Sequence, residues 1–202
     1  MKTKHLIVFA FMTGLTIISC TQKEAHTKPL ETTEIAKEKS ISEQLMLLND
    51  SANNQWNRMM QADSQKFADV KRLIEEISYC KKYDEKAVES LLKFRNEVYA
   101  IRYTQETLSD SLIDLYDSKT TELINKVRNL KGKTPEITQH PLADQLENEI
   151  MKADTEDLVL LRKNYDQIAN AFNNLLDANK DVMEKDPSLK NLKKKKVFSV
   201  VI

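Results

Sequence analysis

The chain has 202 residues, 31 Lys+Arg against 31 Asp+Glu, two Gly, four Pro and 6% aromatics. The balanced charge gives no global basic field to attract nucleic acid. So few helix breakers among so many Leu, Lys and Glu argue for one long-helical domain and against a β-rich fold.

In chain order, the first feature is a basic start, Met1-Lys2-Thr3-Lys4-His5, followed by an apolar stretch at 6–18 broken only by Thr13, Gly14 and Thr16. It ends in Ile17-Ile18-Ser19-Cys20. A basic n-region, a short h-region and a small residue before cysteine form the pattern of a lipoprotein signal peptide. The apolar run is too short to cross a bilayer as a helix. Residues 1–19 are therefore expected to leave, and Cys20 to carry the lipid, with palmitate among its acyl groups. That places the chain in the cell envelope, anchored to the inner or outer membrane, with its domain facing the periplasm or the exterior. Residues 20–34 are polar and contain Pro29, which reads as a flexible tether roughly 20 Å long on average. With Cys20 lipidated, Cys80 has no disulfide partner and reads as a small residue at a helix end.

Three helical segments are expected over 35–186. The first runs from about 35 to 81, with a stripe of Leu45, Leu48, Ala52, Trp56, Met59, Val70, Leu73, Ile74 and Ile77 at spacings of three and four. Asp84 suits the N-cap of a second helix reaching about 131, whose stripe includes Val88, Leu91, Phe94, Val98, Ile101, Leu108, Leu112, Leu115, Leu123, Val127 and Leu130. Gly132 stops it, and Pro135 and Pro141 bracket a polar loop. A third helix is expected from 141 to 185, ended by Asp186-Pro187. Three segments of similar length and near-heptad period predict an all-α fold, an elongated antiparallel three-helix bundle with coiled-coil-like packing. Residues 187–202 form a basic and apolar tail, in which Lys193 to Lys196 precede Val197-Phe198. Such a tail either docks on an anionic surface or folds its apolar end onto the bundle.

Two blocks carry a family resemblance. One comprises Trp56, Lys66, Leu73-Ile74-Glu75, Tyr83-Asp84 and Arg95; the other is Arg162-Lys163-Asn164-Tyr165-Asp166, then Phe172-Asn173. In these blocks the chain resembles the LemA family of membrane-tethered helical proteins. It departs from that pattern at Lys71-Arg72, where the family has Pro-Asn, at Asp166 for Asn, and at Phe172 for Tyr. The resemblance implies a long antiparallel bundle outside the cytoplasmic membrane with no accepted enzymatic activity. A lipid on Cys20 would replace the family's usual transmembrane anchor.

Beyond the resemblance, the residues offer no catalytic or metal-ligand spacing. His5 leaves with the leader, His26 sits in the tether and His140 in the loop. There is no paired His or Cys motif and no Gly-rich loop, so no cofactor, nucleic acid or small-molecule substrate is expected. Six residues stand out for structural or interaction roles: Trp56, Arg95, Arg162, Tyr165, Phe172 and Asn173. Trp56 reads as core or as an interface anchor. Arg95 and Arg162 need partners where they flank the stripes, with Asp69, Glu75, Asp84 and Asp166 as candidates. Tyr165, Phe172 and Asn173 share a face, where Asn173 would bond between helices or set register. The expected function is a non-enzymatic, lipid-anchored interaction or scaffold module, binding a protein partner through a helix face or the 131–141 loop. The alternative is a periplasmic chaperone-like or oligomeric coiled-coil protein that clasps envelope polypeptides through exposed Met46, Met59, Met60, Met151 and Met183.

Overall fold

A computed structural model describes residues 39–198. The signal peptide, the tether with Cys20 and residues 199–202 lie outside the described residues. The described chain is all-helical, and its architecture is set by one rod, α1 (Ile41–Ser78). At 38 residues it is about 57 Å long. A capping box starts it: Ser40 Oγ accepts from the Glu43 N–H, and the Glu43 carboxylate accepts from the Ser40 N–H at 2.8 Å.

The expected helix over 84–131 is two helices. Asp84 caps α2 (Glu85–Ala100), accepting from the Ala87 N–H at 3.0 Å. The chain then breaks over 101–109 and restarts as α3 (Asp110–Gly132), capped by Ser109. Within the break, Thr104 and Thr107 exchange hydrogen bonds, each hydroxyl oxygen accepting the other's N–H, at 2.8 and 3.2 Å. These side chains replace the ladder bonds a continuous helix would have made. The pair α2–α3 is thus a helical hairpin. Its first arm runs antiparallel to α1, since Arg95 Nε donates to the Phe67 carbonyl and Arg102 Nη1 to the Met60 carbonyl. Its second arm runs parallel to α1, from the level of Asp63, beside Tyr116, down to Val70, beside Ile124.

A short 3-10 turn, Pro135–Gln139, leads to α4 (Pro141–Lys152), which continues through a π turn at Ala153–Asp157 into α5 (Leu158–Ala178). In the π turn the Leu158 N–H reaches back to the Ala153 carbonyl, which adds a residue to the turn and rotates the face that follows. This rod runs antiparallel to α1: His140 lies by Glu76, Lys66 by Asp154, Gln55 by the Leu161 carbonyl, and Phe172 by Leu45. Asn179 interrupts the third expected helix before α6 (Lys180–Lys185).

Two cores result. The larger runs from Ala52 down to the 3-10 turn and contains Trp56, Phe67, Tyr116, Leu146 and Tyr165. The smaller is built on Leu45, Phe172 and Leu189, with Ile41, Leu175, Val182 and Leu192 packed around it. In the first two expected stripes the exposed residue is Leu115, at 45%. It follows the 101–109 break, which changes which face points inward, and Leu160, after the π turn, is likewise exposed, at 58%.

Candidate functional site

The lower edge of the site is a charged layer inside the larger core. Asp63 is 3% exposed. It accepts from the Tyr116 hydroxyl at 2.6 Å, from Arg102 at 3.3 Å and from Lys66 at 3.3 Å. Lys66 is equally buried and also donates to Asp154 of the π turn at 2.9 Å. Burial and the Asp63 carboxylate push the Tyr116 hydroxyl well above its ordinary range. Beside this layer Arg162 forks onto Asp117 with two bonds of 2.7 Å, and its Nη2 also donates to the Tyr103 hydroxyl at 2.8 Å. Burial opposes the Arg162 charge, but the bonds to Asp117 outweigh it and hold the guanidinium protonated. Burial likewise pushes Tyr103 up to about 12. These shifts keep both hydroxyls protonated at neutral pH.

Lys66, Asp117, Asp154 and Arg162 line a cleft of about 210 Å³ with Thr121, Leu158 and Val159. Its two cations and two carboxylates are tied to partners, so it carries little net field. Among the described residues no three His, Cys, Asp or Glu side chains are grouped to hold a metal ion.

The upper edge is different in kind. After the 3-10 turn Pro187–Leu189, the chain runs back along α5 as an extended strap. Asn173 clasps the main chain of Lys195: its Nδ2 donates to the carbonyl and its Oδ1 accepts from the N–H, both at 2.8 Å. Tyr165 donates its hydroxyl to the Lys196 carbonyl at 2.8 Å and accepts from Gln105 at 2.7 Å. Asp166 accepts from the Phe198 N–H at 2.9 Å. The Phe198 ring is buried against Trp56, Tyr103 and Tyr165 at centroid distances of 5.4–6.0 Å, with the Arg162 guanidinium 5.1 Å from its centroid. Lys195 and Lys196 are tied down too. Lys195 Nζ donates to Asn53 Oδ1 at 2.8 Å, and Lys196 Nζ to the carbonyls of Glu106 and Leu108 at 2.6 and 3.1 Å.

The structure therefore brings four of the six singled-out residues to one place. Trp56, Arg162, Tyr165 and Asn173 all face the strap. Phe172 sits one step away in the smaller core, fully buried. Arg95 is elsewhere: its guanidinium lies 5.6 Å from the Phe67 ring centroid and 5.1 Å from that of Tyr99, and it donates to the Phe67 carbonyl and Asn96. Neither arginine finds its partner among Asp69, Glu75 or Asp84; Arg162 takes Asp117, and Asp69 is held by Arg72 and Gln65. Asn173 bonds to the strap and not between helices. Missed at the level of sequence were Tyr103 and Asp117; Tyr103 lies in the unforeseen break. Of the two readings of the tail, the structure takes the one in which its apolar end folds onto the bundle, through Phe198.

The 131–141 segment is a pinned cap and not a free loop. Ile137 and Thr134 are buried, Glu136 accepts from the Lys81 N–H at 2.8 Å, and His140 meets Glu76 at 3.2 Å. Of the five methionines expected to be exposed, Met59 is buried, Met60, Met151 and Met183 pack against the cores, and only Met46 is open. Cys80 is buried at the end of α1, where burial, then Glu136 and Glu76, push its thiol up. Among the described residues no helix is long and apolar enough to cross a membrane. Compared with family models, curated proteins and solved structures, the chain matches none.

Proposed function

We propose that this chain is a non-enzymatic, lipid-anchored interaction module of the cell envelope, of the LemA-like type. The observation that supports it best is the seat on α5 and α1, which holds an extended segment by its main chain and one aromatic ring. That is recognition geometry, in which backbone bonds supply affinity and a side-chain pocket supplies selection. The interior charges fit the same reading, because Asp63, Lys66, Arg102 and Arg162 are engaged in holding helices together. The sequence Ile17-Ile18-Ser19-Cys20 supports the anchor, and the blocks around Trp56–Arg95 and Arg162–Asn173 support the family resemblance.

The test is metabolic labelling with a clickable palmitate analogue, followed by crosslinking in the native envelope. Label is expected on the wild-type chain and absent from Cys20→Ser, and crosslinks should gather on one partner. An unlabelled wild-type chain overturns the anchor. Crosslinks spread over many unfolded envelope polypeptides would replace the scaffold role with the chaperone-like one.

A further inference from the structure

The strap is held by contacts that do not require it to belong to the same chain. Asn173 bonds both the N–H and the carbonyl of one residue, and Asp166 accepts from the N–H three residues later. Between them Tyr165 takes a carbonyl. None of these bonds depends on side-chain identity. Selection comes from three further features. A pocket of Trp56, Tyr103 and Tyr165, with Arg162 against the ring, fits an aromatic side chain at the position of Phe198. Asn53 and the carbonyls of Glu106 and Leu108 accept from ammonium groups at the positions of Lys195 and Lys196. Burial lowers the Lys195 ammonium, and the carboxylates of Asp50 and Glu106 offset part of that cost.

We infer that this seat is a binding site for an extended, basic segment of a partner polypeptide with an aromatic residue three positions after a clasped lysine, and that residues 195–198 are its built-in competitor. The inference rests on the interaction-module reading and names its ligand class. A segment tethered in cis competes at millimolar effective concentration, so a partner gains the seat only when the strap is loosened or the partner binds more tightly. Regulation of access is therefore part of the same geometry.

The experiment uses the full chain and a synthetic peptide, Leu-Lys-Lys-Lys-Lys-Val-Phe, with a dansyl group at its N-terminus. Trp56 is the sole tryptophan and lines the pocket, so energy transfer from it to dansyl reports occupancy. Phe198→Ala in the full chain should bind the peptide at least tenfold more tightly than the wild type. Adding Asn173→Ala to that variant should remove at least tenfold, and a peptide with Ala in place of its Phe should not bind. If Phe198→Ala does not fold, Lys195→Pro loosens the strap instead: it deletes the N–H that Asn173 accepts, so the strap and its Phe198 ring leave the seat more readily, while the ring remains available to complete the core when no peptide is bound. Equal affinity for loosened and wild-type chains, or binding indifferent to Asn173 and to the peptide's aromatic ring, overturns the inference. So does a wild-type dimer that persists at saturating peptide, which would assign the seat to a second copy. The titration needs neither lipid nor envelope, so a failed acylation test leaves it standing, and a failed titration leaves the anchor standing.

Discussion

The two halves of α1 are covered by different means. Below Met60 in the structure, towards Ser78, the rod is enclosed by helices: α2, α3 and α4 surround it, and the interior is large enough to hold a paired charged layer at Asp63 and Lys66. Towards Ile41 the hairpin has ended, and only α5 remains beside it. There the missing cover is supplied by α6, the Pro187–Leu189 turn and an extended strap. Helices bury a stripe through side chains alone, because their backbone is satisfied internally. An extended strap must also satisfy its own N–H and C=O groups, and this explains why Asn173, Tyr165 and Asp166, all polar or hydroxylated, sit on the inward face of α5. The contrast teaches that the polar residues of that face satisfy the backbone of the strap.

The sharpest way to break the contrast is Asp63→Ala. It leaves Lys66 and the Tyr116 hydroxyl buried beside a void, and should destabilise the chain by about 3–5 kcal/mol in urea unfolding. A loss under 1 kcal/mol would mean the layer is hydrated and the lower half looser than described. Next in size is Leu189→Ala in the smaller core, expected to cost about 2–3 kcal/mol. Hydrogen exchange should then show faster opening around Leu45 and Phe172 while the amides near Ile74 and Leu146 keep their protection; uniform acceleration would show that the halves open as one unit. Thr120→Val should be neutral or stabilising by about 1 kcal/mol, read from the thermal midpoint, because the Thr120 hydroxyl is buried without a hydrogen-bond partner among the described residues. The smallest effect is in acid. Burial opposes the Glu147 charge, yet Lys131 at 2.5 Å and Arg128 at 2.7 Å outweigh it and lower its carboxyl. A lowered folded value means the contribution is present above pH 4.5, the group's ordinary value, and is lost as pH falls through the folded value. Glu147→Gln should therefore flatten the stability profile below pH 4.5 by a few tenths of a kcal/mol, as expected for a partly exposed pair. A profile as steep as that of the wild type would assign the acid sensitivity to other carboxylates.

Much of the lower half was legible in the sequence. The stripe from Met59 to Ile77 and the Asp84 cap are local signals, and the structure uses both; Gly132 is the last residue of α3 itself, which Lys133 caps, and not a stop beyond the helix end. The break at 101–109 was hidden because Ile101, Leu108 and Leu112 keep helical spacing across it. The clue was chemical: Thr104, Thr107 and Ser109 offer side-chain partners to the backbone, and Ser109-Asp110 is a good cap pair. Without that break the fold reads as three rods; with it, the middle rod folds in two and exposes the length of α1 that the strap covers. The π turn was equally silent, since it changes phase without a breaker residue. Of the site, Arg162, Tyr165 and Asn173 were visible as a spaced set on one helix face. Their common purpose was not, because the strap that unites them is a lysine-rich run whose composition suggests solvent, while its main chain and Phe198 do the packing.

The strap also sets an order in time. Asn53 lies on the first of the described helices to leave the ribosome, and its partner Lys195 is 142 positions later. The upper half of α1 is thus made early and covered last, since its apolar face waits for Phe172, Leu189 and Phe198 to be synthesised. Contacts of such long sequence separation close slowly. A nascent chain would therefore pass through a stage in which α1 and the hairpin are formed and the seat stands open. If other polypeptides occupy that seat, the window before the last residues dock is when access to it is easiest.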